Sequence, residues 1–284
     1  MEISLNRFTQ LVNSCREMNV QFVSLQELSN LLSRKEKLKR PVIHFSFDDG
    51  LLDNYQLAFP YLNDQKIPFS VFVSPGLIKG TYPVWWYIIE ELARTGAMVE
   101  FDKYQFSVDC KALGAEASYG KLLNFVLQHI DENPAYFNDV LNNYTIQYGL
   151  KKFEMLNFQQ LHEMLSSGLC EIGSHTEMHT RMANRGYTDR REIIQSGIDS
   201  LAKELNTPIS FFAYPYGGYN DIGDHSRDAE IFKESGIKMA LSAEVDHLTV
   251  HSNPFLIPRV TFNEQTTHYM LKTMLNGCYQ SEVF

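Results

Sequence analysis

The chain has 284 residues, 44% of them hydrophobic and 21% charged, which is the balance of a packed globular protein and excludes a disordered one. Its 34 acidic against 25 basic residues leave a formal charge of −9. The one basic run, residues 34–40, sits directly before an apolar strand and reads as a solvated linker, so nucleic acid is not an expected partner.

Leu5, Phe8, Leu11, Val12 and Cys15 recur at helical spacing and predict an amphipathic opening helix. Ser24 with Glu27 forms a capping-box pattern that opens a second helix, Leu25 to Leu32. Together these make a helical lead-in over residues 1–40. From Pro41 onward, short apolar or alternating runs predict strands over 42–47, 69–74, 170–174, 209–214, 238–242 and 256–262, and over 20–23 if Val20 to Val23 is counted. Helical patterns lie between them over 52–62, 158–165, 188–205, 228–235 and 264–275, with Gly236 at a helix C-terminal cap. Strand, helix and strand in repetition argue for an α/β fold, a parallel sheet with helices outside it. Either a closed or nearly closed barrel or an open doubly wound sheet fits. Residues 81–156 interrupt the rhythm with an aromatic, helical pattern (Trp85, Trp86, Tyr87, then Leu122, Phe125 and Val126) and read as a helical insertion after the second barrel strand. The expectation is a single catalytic domain over 1–284 carrying that insertion.

Cys15, Cys110, Cys170 and Cys278 have no paired spacing, so neither a disulfide framework nor a thiolate metal site is expected. The first residues show no basic segment followed by an apolar run, and no apolar stretch approaches the ~18 residues that span a bilayer. A cytoplasmic protein without an integral membrane segment is the expectation; a chain whose leader had been removed would look the same.

In either arrangement of the sheet, catalytic groups belong at the carboxyl ends of the strands. The strand over 42–47 ends in Asp48, Asp49 and Gly50. Adjacent carboxylates point to different sides, so one can hold a metal while the other remains a base, although Asp and Gly also make plain turns. The run 171–174 leads into His175-Thr-Glu-Met-His179. Two imidazoles four residues apart fall on one side of a helical turn and can grip one ion. The strand over 209–214 closes with Pro215, Tyr216 and Gly217, a turn that exposes backbone N–H groups. Asp49, His175 and His179 together offer a carboxylate and two imidazoles with positions left open, as catalytic metal sites have. Asp48 then stands as a base beside a metal-activated water, which is chemistry for hydrolysing an amide or ester.

These segments, Phe45 to Gly50, Gly173 to His179 and Phe212 to Gly217, resemble in order and spacing the first three motifs of the polysaccharide deacetylases, carbohydrate esterase family 4, the NodB-homology domain. Trp85-Trp86 and the later segment from Asn253 to Arg259 look like a branch associated with bacterial surface-polysaccharide biosynthesis. The resemblance implies a distorted (β/α) barrel, one divalent metal, commonly zinc, and removal of acetyl groups from N-acetylated sugars of a poly- or oligosaccharide. It implies Asp48 as general base, Asp49, His175 and His179 as metal ligands, and the backbone N–H of Tyr216 as an oxyanion donor beside Pro215. Many members carry an arginine two residues before the third-motif proline to orient the base; here that position is Ala213, and Arg259 is the candidate replacement. The family's general acid is a histidine in a late leucine-rich motif that no segment here matches; His247, His251 and His268 are the candidates by position. Trp85 is a candidate sugar-stacking residue, although aromatics at such spacing also form cores. Two other readings remain: the same site acting on another C–N bond, in a formamido sugar or small cyclic amide, and a non-catalytic carbohydrate-binding protein on a degenerate deacetylase scaffold.

Overall fold

A computed structural model describes residues 3–35, 38–130, 132–151, 153–246, 248–249 and 251–280, with backbone alone over 276–280. Glu36 and Lys37 of the basic run, His247, and the Cys278 side chain lie outside the described residues. The strands in chain order are β1 (Gln21–Phe22), β2 (Val42–Ile43), β3 (Phe45–Phe47), β4 (Phe69–Val73), β5 (Met98–Phe101), β6 (Phe106–Asp109), β7 (Cys170–Ser174), β8 (Phe211–Ala213) and β9 (Met239–Leu241). The chain divides into two compact units, Met1–Ile78 with Leu156–Phe284, and Lys79–Met155.

The first unit is a curled parallel sheet in the order β3-β4-β7-β8-β9, with β1 and β2 as a separate parallel pair. It is the distorted half-barrel of an α/β fold. Every residue of β4 is buried, as in parallel strands covered on both faces. Phe69, Val71 and Val73 join the larger core with Leu11, Leu161, Ile194 and Leu201 from the helices, whereas Phe72 packs with Phe211, Ala213, Met239 and Leu241 on the other face. The opening helix is Leu5–Glu17, and the second, Leu25–Arg34, has both bonds of its capping box between Ser24 and Glu27.

Two predicted strands differ from what forms. The segment over 42–47 is split, because β2 pairs with β1 while β3 pairs with β4. The change of partner falls at His44. Its Nδ1 lies 2.8 Å from the Val23 carbonyl and its Nε2 2.8 Å from the Ser70 hydroxyl, so Nδ1 donates and Nε2 accepts. Burial lowers this imidazole to about 4, which keeps it neutral and structural. The segment over 256–262 keeps only one bridge, Leu241 to Ile257. Pro258 has no N–H to give, and the Arg259 N–H passes over Ser242 to bond the Glu244 carbonyl at 3.0 Å. The Ser242 carbonyl accepts instead from Arg259 Nε at 2.7 Å.

The second unit carries the helices Trp85–Thr95, Cys110–Leu113, Ala115–His129 and Pro134–Gln147. It is not helical throughout: β5 and β6 form an antiparallel hairpin with Val99 opposite Val108 and Phe101 opposite Phe106. Burial along β5 alternates strictly, the period of a strand, over too few residues to stand out among helical neighbours. No described helix is long and apolar enough to cross a membrane. Cys15, Cys110 and Cys170 are buried free thiols, and burial raises Cys15 to about 11, leaving it protonated and unreactive.

Candidate active site

The carboxyl ends of β3, β7 and β8 carry the three motifs. After β3 the chain enters consecutive left-handed positions, Asp49 at φ +71° and Gly50 at φ +84°. This conformation is uncommon for a residue with a Cβ, and it sends the two neighbouring carboxylates to different partners. Immediately beyond, Asn54–Ala58 is a π-helical turn running into the helix Phe59–Asp64, where one continuous α-helix was expected.

After β7, His175 to His179 is a turn rather than a helical one. Thr176 and His179 are left-handed, at φ +62° and +54°, and the Thr180 N–H bonds Thr176 Oγ1 at 2.9 Å. The turn sits directly on the helix Tyr187–Leu205: a Cβ on Gly197 would lie 2.6 Å from the Thr176 carbonyl carbon. That close approach is what requires glycine there.

The turn delivers His175 Nε2 to 3.6 Å and His179 Nε2 to 3.3 Å from Asp49 Oδ1. One donor atom from each of the three residues lies within 4.8 Å of the other two. His175 is 1% exposed, and its Nδ1 lies 2.7 Å from the Ala213 carbonyl. A carbonyl only accepts, so Nδ1 carries the hydrogen and the Nε2 lone pair faces Asp49, the arrangement in which a backbone partner fixes a ligating tautomer. Burial lowers the His175 pKa against the pull of Asp48 and Asp49, so the ring is in the neutral form that a ligand needs. A lone pair facing a carboxylate is a repulsive pair unless a cation stands between them. The donor set therefore fits a divalent ion that accepts nitrogen and oxygen.

Asp48 takes the other direction. Arg259 donates to it through both ends of its fork, Nη1 to Oδ1 at 2.8 Å and Nη2 to Oδ2 at 2.7 Å. The guanidinium is itself held by the Ser242 carbonyl and by Ser46 Oγ, 3.2 Å from Nη1. Burial would raise the Asp48 carboxyl, but the charge of Arg259, with His175 and His179 behind it, holds it below its ordinary value. The carboxylate stays ionised and fixed in orientation. Arginine thus meets Asp48 from the segment after β9, while Ala213 contributes its carbonyl to His175.

At the end of β8, Tyr216 and Gly217 are left-handed at φ +63° and +70°. The Tyr216 ring meets His179 edge-to-face at 4.6 Å, and Pro215 is buried. Trp85 belongs to the second unit, is 1% exposed and packs against Trp86, so its ring serves as core. His251 and His268 are exposed, at a loop and at the start of the last helix, His268–Gln280.

A buried network behind the turns has no local sequence motif. Arg190 grips Asp228 through Nε at 2.7 Å and through Nη2, and its Nη1 donates to the carbonyls of Met182 at 2.7 Å and Ile222 at 2.8 Å. The Tyr214 hydroxyl donates to Asp228 at 3.0 Å. The network ties the segment after His179, the segment after Gly217 and the residue before Pro215 into one frame.

A family model for polysaccharide deacetylases matches residues 125–231, a span that holds His175, His179 and Tyr216 and begins after Asp49. The chain is 23% identical over 145 residues to the poly-β-1,6-N-acetyl-D-glucosamine N-deacetylase of Staphylococcus aureus (strain MRSA252), an alignment covering 47% of each. It spans about half the length of the curated relatives it matches. Its fold is similar to that of the Streptococcus pyogenes deacetylase PplD in complex with acetate, with a TM-score of 0.62, 16% identity and coverage of 96% of this chain and 87% of that one. IcaB from Ammonifex degensii gives a TM-score of 0.60, 21% identity and coverage of 96% and 89%.

Proposed function

We propose that this chain, which is similar to the polysaccharide deacetylases in a family-model match, in curated relatives and in fold, is a metal-dependent hydrolase removing acetyl groups from N-acetylglucosamine units of a β-1,6-linked polymer. The observation that carries this reading is the pairing of two arrangements on adjacent residues: the Asp49, His175 and His179 donor set, and Asp48 held by both ends of the Arg259 fork.

Asp49, His175 and His179 would hold the ion, with zinc the expected occupant of a set of two imidazoles and a carboxylate. The ion would polarise the acetyl carbonyl and make a water acidic enough to lose a proton near neutral pH. The chain's own groups do the rest. Asp48 accepts the proton of the attacking water, and Arg259 keeps it ionised and aimed. The Tyr216 N–H donates to the oxygen on which negative charge develops. The C–N bond breaks to give acetate and a free amine, and the proton Asp48 has taken is the one the departing nitrogen requires. The reading is tested by acetate release from β-1,6-linked N-acetylglucosamine oligomers: release that stops on chelation and returns with zinc supports it, and no release from any length of oligomer by the metal-loaded chain refutes it.

Arg259→Lys gives a further expected outcome. A point charge replaces a planar fork, so turnover should fall by roughly tenfold or more while metal content is unchanged, the loss coming from a poorly aimed base. Full activity in this variant would show that charge alone, and not the two-point grip, is what Asp48 needs.

A further inference from the structure

We infer that Glu244 is a positioning residue that locks the turn carrying Tyr216 to the segment carrying Arg259, so that the oxyanion side and the base side of the site hold one register; the inference rests on the deacetylase reading above. Glu244 reaches both sides. Its Oε1 accepts the Tyr219 N–H at 2.6 Å, and its backbone carbonyl accepts the Arg259 N–H at 3.0 Å. The preceding residues act in the same sense: the Ala243 N–H bonds the Gly217 carbonyl at 2.8 Å, and the Ser242 carbonyl accepts from Arg259 Nε. Residues 242–244 are therefore a clip, with the turn on one edge and the arginine on the other.

The turn needs such a clip. Two successive left-handed residues, one of them a tyrosine, persist only where surrounding contacts over-determine them. The clip packs straight onto them, since a Cβ on Gly217 would lie 2.6 Å from the Ala243 nitrogen. A backbone bond, from the Ala243 N–H to the Gly217 carbonyl, holds the near end of the turn. The Glu244 carboxylate on the Tyr219 N–H, a short bond to a charged acceptor, closes its far end. The direction of the Tyr216 N–H is set by the turn's dihedral angles, and an oxyanion donor works only within about 3 Å of the place where charge will develop. Releasing Tyr219 should thus cost turnover rather than substrate binding.

The test combines kinetics on N-acetylglucosamine oligomers with amide hydrogen exchange of the metal-free chain. In Glu244→Ala, kcat should fall about tenfold with KM within about twofold, less than the loss expected on deleting an oxyanion donor outright. Glu244→Gln, whose Oε1 still accepts, should recover most of it. Glu244→Asp, which keeps the charge but falls short by one methylene, should behave like alanine and serves if the alanine variant does not fold. Exchange at the Tyr219 amide should quicken in Glu244→Ala while the Arg259 amide, bonded to a backbone carbonyl, is unchanged. Wild-type kcat in Glu244→Ala, full activity in Glu244→Asp, or a loss that Glu244→Gln does not recover overturns the inference. A wild-type chain that releases no acetate, with Tyr219 exchange behaving as stated, overturns the deacetylase reading and with it the catalytic part of this inference, leaving the clip as structure.

Discussion

Asp48→Asn should leave the chain folded and metal-loaded while lowering turnover by roughly 10²–10⁴-fold, the range associated with a general base. The amide has the size of the carboxylate and can still accept from one Arg259 nitrogen, but it presents an NH2 group to the other and has no basic lone pair at the operating pH. Because Asp49, and not Asp48, faces the two histidines, the donor set is untouched. Metal content measured beside turnover therefore separates the loss of a base from the loss of an ion. Near-normal turnover with bound metal would show that another group takes the water's proton.

Asp228→Ala should destabilise the fold more than Asp48→Asn, Arg259→Lys or Glu244→Ala. It leaves the Arg190 guanidinium, 3% exposed, without its counter-charge, a situation that costs about 3–5 kcal/mol. For a folded unit of this size that corresponds to a fall in Tm of roughly 6–20 °C. The Tyr214 hydroxyl loses its better acceptor at the same time, keeping only the Phe255 carbonyl at 3.4 Å. An apolar replacement of both partners, Arg190→Met with Asp228→Leu, should be less destabilised than either single change, because no buried charge is left over. Thermal unfolding of Asp228→Ala, of Arg190→Met and Asp228→Leu singly, and of the two combined checks this; a loss under about 1 kcal/mol in Asp228→Ala would mean that water or another group reaches Arg190.

What the sequence makes legible follows the range over which each feature is determined. Asp48 and Asp49 are neighbours, and His175 and His179 lie within one turn, so residue type and spacing suffice to nominate them. The left-handed dihedrals that aim them were not legible, because Asp49, Thr176, His179 and Tyr216 adopt by tertiary constraint a conformation that side-chained residues avoid. Arg259 could be nominated from a strand-like Ile-Pro-Arg-Val, yet the reason it points inward is an interrupted ladder: Pro258 withholds an N–H and the Ser242 carbonyl turns to the side chain. The frame of Arg190, Asp228 and Tyr214 joins residues with no common spacing, and nothing local marks it. Trp85 shows a different limit, since an aromatic cluster on a helix can read as platform but more often forms core, and burial decides for core.

The central claim, that Asp49, His175 and His179 hold one divalent ion beside Asp48, is tested most directly by metal stoichiometry after equilibration with zinc and removal of unbound ion. The account predicts about one equivalent for the wild-type chain and for Asp48→Asn, and a severe loss in Asp49→Ala, His175→Ala and His179→Ala, as three-ligand catalytic sites require. No retained metal in a folded wild-type chain, or full stoichiometry in the three ligand variants, would contradict it.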